Sequence, residues 1–145
     1  MKLNGEGTTQ LVHPDGTTAD VFSGTGDHVN NPLSTDQSGK GPLPTGDYYI
    51  VSRSSGGFFG KVKSWFTGRN EWFSLHRQDG TIDDYTTVNG VERGLFRMHP
   101  GTRSAGCVTF CSYDQFTSTR NLLLNSANGT IPNTNTTYYG TLTVE

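Results

Sequence analysis

The hydrophobic positions of this chain fall in short alternating runs, with few long helical stripes. Leu11-Val12 and Val21-Phe22 flank the turn formers His13-Pro14-Asp15-Gly16, so a β-hairpin is expected within Met1–Phe22. Pro42 and Pro44 stiffen the Gly39–Gly46 turn and forbid helix through it. Asp47–Arg53 (DYYIVSR) is β-branched and aromatic and reads as a core strand. Tyr48 and Ile50 take one of its faces, Tyr49 and Val51 the other. A strand apolar on both faces belongs between two layers. Glu71–Arg77 alternates Trp72, Ser74 and His76 against Phe73 and Leu75, the pattern of a half-buried strand. Asn89-Gly90 marks a second hairpin inside the Thr81–Val91 region. Leu95–His99 reads as a further strand, and another begins near Cys107, with Val108 and Phe110 alternating against Cys107 and Thr109. Tyr138-Tyr139 and Leu142-x-Val144 close the chain as a last strand.

Helical spacing occurs twice. Phe58, Val62, Trp65 and Phe66 lie on one face of a short amphipathic helix, with Lys61 and Lys63 on its other side. That insert is expected to dock on the core, to cover a cleft, or to touch a membrane surface. Ser112-x-x-Gln115 is a capping box, and it opens a helix expected from Tyr113 to Ala127. Phe116, Arg120, Leu123 and Ala127 recur along it, and Asn128-Gly129 ends it. The pattern therefore predicts a mostly β domain with one clear α-helix after the Cys107 strand.

Composition narrows the reading. With 145 residues, the chain is expected to be a single domain that buries a core without metal or disulfide help. A net charge of −2 gives no electrostatic case for a nucleic-acid partner. Cys107 and Cys111, if both in one strand, sit roughly 13 Å apart, beyond disulfide reach. A Cys-x3-Cys pair with a His could hold zinc, but two further well-spaced ligands are not evident, and no cofactor is expected. No apolar run is long enough to span a membrane. The residues Met1–Gln10 lack the apolar core of a secretory signal. The polar glycine loop at 23–32 lacks the strand and helix context of a dinucleotide site, and is either a cleft wall or a surface connection.

Candidate chemistry concentrates in Gly94–Cys111, GLFRMHPGTRSAGCVTFC. The turn formers of Pro100–Arg103 and the following Ser-Ala-Gly are expected to bend the chain like a hairpin, folding His99 toward Ser104, Gly106 and Cys107. An ordinary thiol is only a few per cent thiolate at neutral pH, so a neighbouring imidazole that takes its proton makes it a nucleophile. Backbone N–H groups of Gly106 and Cys107 are placed to hold an oxyanion. All four histidines precede both cysteines, which excludes the papain order. His13, beside a proline in a turn, reads as solvated. His76 is the alternative base, separated in sequence from the thiol. Asp83 and Asp84 point to opposite faces of a strand, so one is expected to contact substrate or loop and the other to be solvated.

His99-x4-Ser104-x-Gly106-Cys107 followed by an apolar residue resembles the signature of the YkuD-type L,D-transpeptidases. It is closer to their shortened relatives, the Tlde effectors that bacteria deliver by type VI secretion. The likeness extends to Gly41-Pro42-x-Pro44-x-Gly46-x-Tyr48, Glu71-Trp72-Phe73, Ile82-Asp83-Asp84, Asn89-Gly90-Val91 and Arg93-Gly94-x-Phe96-Arg97-x-His99-Pro100-Gly101. It differs from the housekeeping enzymes in a shorter His-to-Cys gap and in Thr109, where those usually carry Arg.

The resemblance implies an L,D-transpeptidase-like β-sandwich or curved sheets, acting on tetrapeptide stems of peptidoglycan through a Cys107 acyl-enzyme. It implies that His99 is the base, oriented by a backbone carbonyl near Pro100 or Gly101, and that Ser104 holds the loop. Arg97 is expected to bind the terminal carboxylate, with Asp84 and His76 as further substrate-side candidates. A type VI carrier, a cognate immunity protein and action in the target cell's periplasm follow from the same likeness. The alternatives are a non-catalytic cell-wall-binding module and a zinc-stabilised interaction domain.

Overall fold

The computed structural model describes residues 1–53 and 71–145, and the amphipathic stretch at 58–66 lies outside the described residues. The described elements are β1 (Thr9–Val12), β2 (Thr18–Phe22), β3 (Gly46–Ser52), β4 (Phe73–Arg77), β5 (Tyr85–Val88), β6 (Val91–Gly94), β7 (Arg97–Pro100), β8 (Val108–Phe110), α1 (Tyr113–Asn125), β9 (Gly129–Thr130) and β10 (Thr137–Val144). Eight strands form one sheet in the order β1-β2-β8-β7-β4-β3-β10-β9, and β5 pairs with β6 alone. The fold is mostly β with one α-helix among the described residues, as the alternating pattern requires.

Both hairpins form where their turn residues place them. Asn89, at φ 50°, and Gly90, at φ 79°, supply the left-handed backbone that joins β5 to β6. One face of the large sheet is the core. Val21, Val108, Phe110, Met98, Leu75, Ile50 and Tyr48 are all buried, and Phe116 and Leu123 of α1 are buried with them in one cluster. Phe116 meets Phe110 edge-on, with ring centroids 5.4 Å apart. The layer that covers this face is thus a helix, packed on β2, β7, β8 and β10.

Ser112 caps α1, accepting the Gln115 N–H at 3.4 Å. The reciprocal half of the expected capping box is replaced: the Gln115 side-chain oxygen accepts the Asp20 N–H of β2 at 3.1 Å. A long-range partner captures the side chain and pins the helix to the sheet. The helix ends at Asn125, short of Ala127, where Ser126 turns to extended backbone and donates its N–H to Leu123 O.

Two strand expectations are corrected. Leu95 does not open β7. It sits at φ 58°, in the left-handed region, and donates its N–H to Asp84 O at 2.8 Å, so the strand starts at Arg97. More consequentially, β7 and β8 are parallel, and their connection is not a hairpin. Parallel neighbours usually need a crossover of about a dozen or more residues. Here the segment 101–107 doubles back across the edge of the site.

Candidate active site

Cross-strand register assembles the site. His99 lies opposite Thr109, and Thr109 opposite Phe22. The antiparallel pairing of β4 with β7 sets Ser74 against Arg97 and Phe73 against Met98, so Trp72 faces His99 one step further on. The same extension of the β3–β4 register brings Arg53 beside Trp72. One row therefore runs Phe22, Thr109 and His99 across β2, β8 and β7, and on to Trp72 and Arg53 just beyond the ends of β4 and β3. Laterally paired side chains share a face of the sheet. Two residues away on the same face runs a second row, Arg97, Ser74, Val51, and continuing the β7–β8 register one step before Val108 sets Cys107 beside Arg97. On that continued register His99 and Cys107 are diagonal neighbours across the β7–β8 pair.

Contacts within the rows agree with this register. Trp72 stacks on His99 with ring centroids 4.4 Å apart and planes 22° off parallel. The Arg53 guanidinium carbon lies 5.6 Å from the centre of a Trp72 ring. His99 is buried, and its Nδ1 lies 3.0 Å from the carbonyl oxygen of Pro100. A carbonyl only accepts, so Nδ1 carries the hydrogen and Nε2 is the basic nitrogen. Nε2 lies 3.5 Å from the hydroxyl of Thr109.

Cys107 is half-buried and free. Burial pushes its thiol above the ordinary cysteine range, and backbone hydrogen bonding from Arg97 and the Arg97 charge pull only partly the other way. The resting sulfur is therefore held toward its protonated thiol form. The loop in front of it is fixed from both sides. Ser104 donates to Cys107 O at 2.8 Å and accepts the Gly24 N–H at 3.1 Å. Gly106 sits at φ 114°, where an added Cβ would lie 2.8 Å from Arg93 Nη2 and 2.9 Å from Phe96 Cε1. Only glycine meets both conditions. Arg93 itself is buried and donates to Gly41 O and Pro42 O at 2.9 and 3.2 Å, tying the proline turn beneath this loop.

Arg97 is engaged. Its guanidinium meets both carboxylate oxygens of Asp84, and Asp84 also lies 3.4 Å from His76 Nε2. Asp83 caps the next turn, accepting the Tyr85 N–H at 2.7 Å. A cleft of about 350 Å³ opens at Cys107, lined among others by Tyr85, Glu92, Leu95 and Ala105. His13 bonds to Thr17 and Thr119, away from these rows. Among the described residues no group of His, Cys, Asp and Glu is arranged to hold a metal ion.

Trp72 and Thr109 are the site neighbours that residue chemistry did not single out as functional. For Trp72 the sequence offered its place in Glu71-Trp72-Phe73 of the family likeness and its alternation with Ser74 and His76, and only the β4–β7 register turns these into a position beside His99.

The arrangement puts a free thiol at a cleft and a buried imidazole with an available Nε2 on the same face of the sheet. No curated protein and no solved structure matches the chain. The Tlde1 domain does, over residues 17–134, a span that contains both rows and the loop between them. On that match the chain belongs to the Tlde1 domain family.

Proposed function

We propose that this protein is a cysteine enzyme of peptidoglycan that removes or exchanges the terminal D-Ala of tetrapeptide stems. The observation that supports this reading is the parallel β7–β8 register, which continued one step before Val108 puts Cys107 diagonal to His99, whose Nδ1 is committed to Pro100 O, while Cys107 itself lines an open cleft. In the first step the Cys107 proton passes to Nε2 of His99 and the sulfur attacks the stem carbonyl. Backbone N–H groups of Gly106 and Cys107 receive the oxyanion, each worth roughly 3 kcal/mol in comparable sites. Nε2 then returns the proton to the departing amine as the C–N bond breaks, which leaves a thioester on Cys107. Water resolves it in an L,D-carboxypeptidase reaction, and a D-amino acid amine resolves it in an exchange reaction.

Arg97 borders Cys107 and supplies the positive charge for the stem's terminal carboxylate, while Asp84, itself contacted by His76, holds its guanidinium in place. The physiological setting proposed is delivery by a type VI carrier into a neighbour's periplasm, with an immunity protein protecting the producer. A binding-only role is the second reading, and it leaves the committed tautomer of His99 without a purpose.

The test is incubation with purified tetrapeptide muropeptides and mass measurement of the products. The native chain is expected to yield tripeptides or D-amino-acid-exchanged stems, and Cys107→Ala neither. Equal turnover by both proteins overturns the nucleophile assignment.

A further inference from the structure

Thr109 is fully buried, yet its hydroxyl has no short, committed hydrogen bond. It stands 3.5 Å from Nε2 of His99 and 3.4 Å from the carbonyl oxygen of Arg103. A hydroxyl has one proton to give and lone pairs to receive. The Arg103 carbonyl can only accept. Nε2 changes role: it is an acceptor in the neutral ring, because Nδ1 holds the hydrogen for Pro100, and a donor once it has taken a proton.

We propose that Thr109 is a positioning residue for the reaction above, a two-way partner that holds the reactive nitrogen of His99 in both of its protonation states. This rests on the proposed function for its purpose, though its geometry stands alone. While the ring is neutral, the Thr109 O–H points to Nε2 and fixes the ring about its bond to the chain. When the Cys107 S–H bond breaks and an N–H bond forms on Nε2, the hydroxyl rotates. It then gives its hydrogen to Arg103 O and offers a lone pair to the new N–H. Thr109 itself gains and loses no proton. Its place in the row fits the role, since Trp72 covers one side of the imidazole and Thr109 lies at the other. The parallel pairing of β7 with β8 is what puts Thr109, and no residue of the connecting loop, opposite His99.

The experiment combines nitrogen-15 NMR of the His99 ring with steady-state kinetics, on the native chain, Thr109→Val and Thr109→Ser. Valine keeps the shape and removes the hydroxyl, and serine keeps the hydroxyl and removes a methyl. The native protein and Thr109→Ser are expected to show the Nδ1–H tautomer with an Nε2 signal displaced by hydrogen bonding. Thr109→Val is expected to lose that displacement. In turnover of the muropeptide, Thr109→Val should lower kcat about tenfold with KM little changed, and Thr109→Ser should stay within about twofold of native. An unchanged Nε2 signal in Thr109→Val overturns the proposal, as does a serine variant as impaired as the valine one. If Thr109→Val does not fold, an Nε2 signal in the native protein and Thr109→Ser without hydrogen-bond displacement still overturns it. The NMR arm needs no activity. An inactive native protein with the expected ring signals therefore counts against the proposed function and leaves the positioning role standing.

Discussion

Asp84 grips Arg97 through both carboxylate oxygens, at 2.7 and 2.9 Å. Burial alone would raise the Asp84 carboxyl, but hydrogen bonds from His76 and Arg97 and the charge of Arg97 outweigh it and hold the group far below the usual carboxylate range. A carboxyl depressed in the folded state contributes stability that is complete above its unfolded value, near 3.9, and is lost as pH falls toward the folded one. Asp84→Asn should therefore cost about 2 kcal/mol at neutral pH, the scale of a hydrogen bond to a charged group. It should also flatten the loss of stability below about pH 4. Thermal unfolding from pH 2 to pH 7 checks both.

Burial governs the Cys107 sulfur in the resting protein. Because its folded value lies above the ordinary range, the thiolate fraction at neutral pH is smaller than that of free cysteine. Iodoacetamide should alkylate Cys107 more slowly than free cysteine at pH 7, with the rate still climbing past about pH 8.5. The rate–pH curve, read by intact mass, tests this. Cys111, exposed and also raised by burial and then by Asp20, is removed as Cys111→Ser to keep the signal single.

Two histidines on one sheet face are separated by their partners. His99 has Trp72 stacked on it and Pro100 fixing its tautomer, while His76 belongs to the Asp84–Arg97 pair. His99→Ala should abolish turnover, a loss of at least about a hundredfold for a general base. His76→Ala should keep measurable kcat and show its effect in KM, through a loosened Arg97. Kinetics on the two variants decide the assignment, and the reverse ranking moves the base to β4.

Much of this fold was legible along the chain, because its elements are signalled locally. His13–Gly16 and Asn89-Gly90 are turn chemistry between alternating runs, and both hairpins form there. Ser112 marks the start of α1. What the sequence hid is what long-range pairing decides. Turn formers between His99 and Cys107 suggest a hairpin, yet the strands run parallel, since β8 is captured between β2 and β7. Gln115 reads as half of a capping box until Asp20 takes its side chain. The left-handed Leu95 carries no composition signal, because its conformation is held by the carbonyl of Asp84 across the β5–β6 hairpin. The tautomer-fixing carbonyl of Pro100 agrees with the place the family resemblance gave it. The Trp72–His99–Thr109 row became visible only with the strand registers.

On the proposed function, the Cys107 sulfur must form a covalent bond to a wall stem. Acid-quenching the protein within its first turnover on a tetrapeptide muropeptide and weighing the intact chain measures that bond directly. The expected result is a mass gain equal to the stem minus D-Ala, mapped to Cys107 and missing from Cys107→Ala. Free D-Ala released with no such adduct on the native chain, or an adduct of equal size on Cys107→Ala, contradicts it.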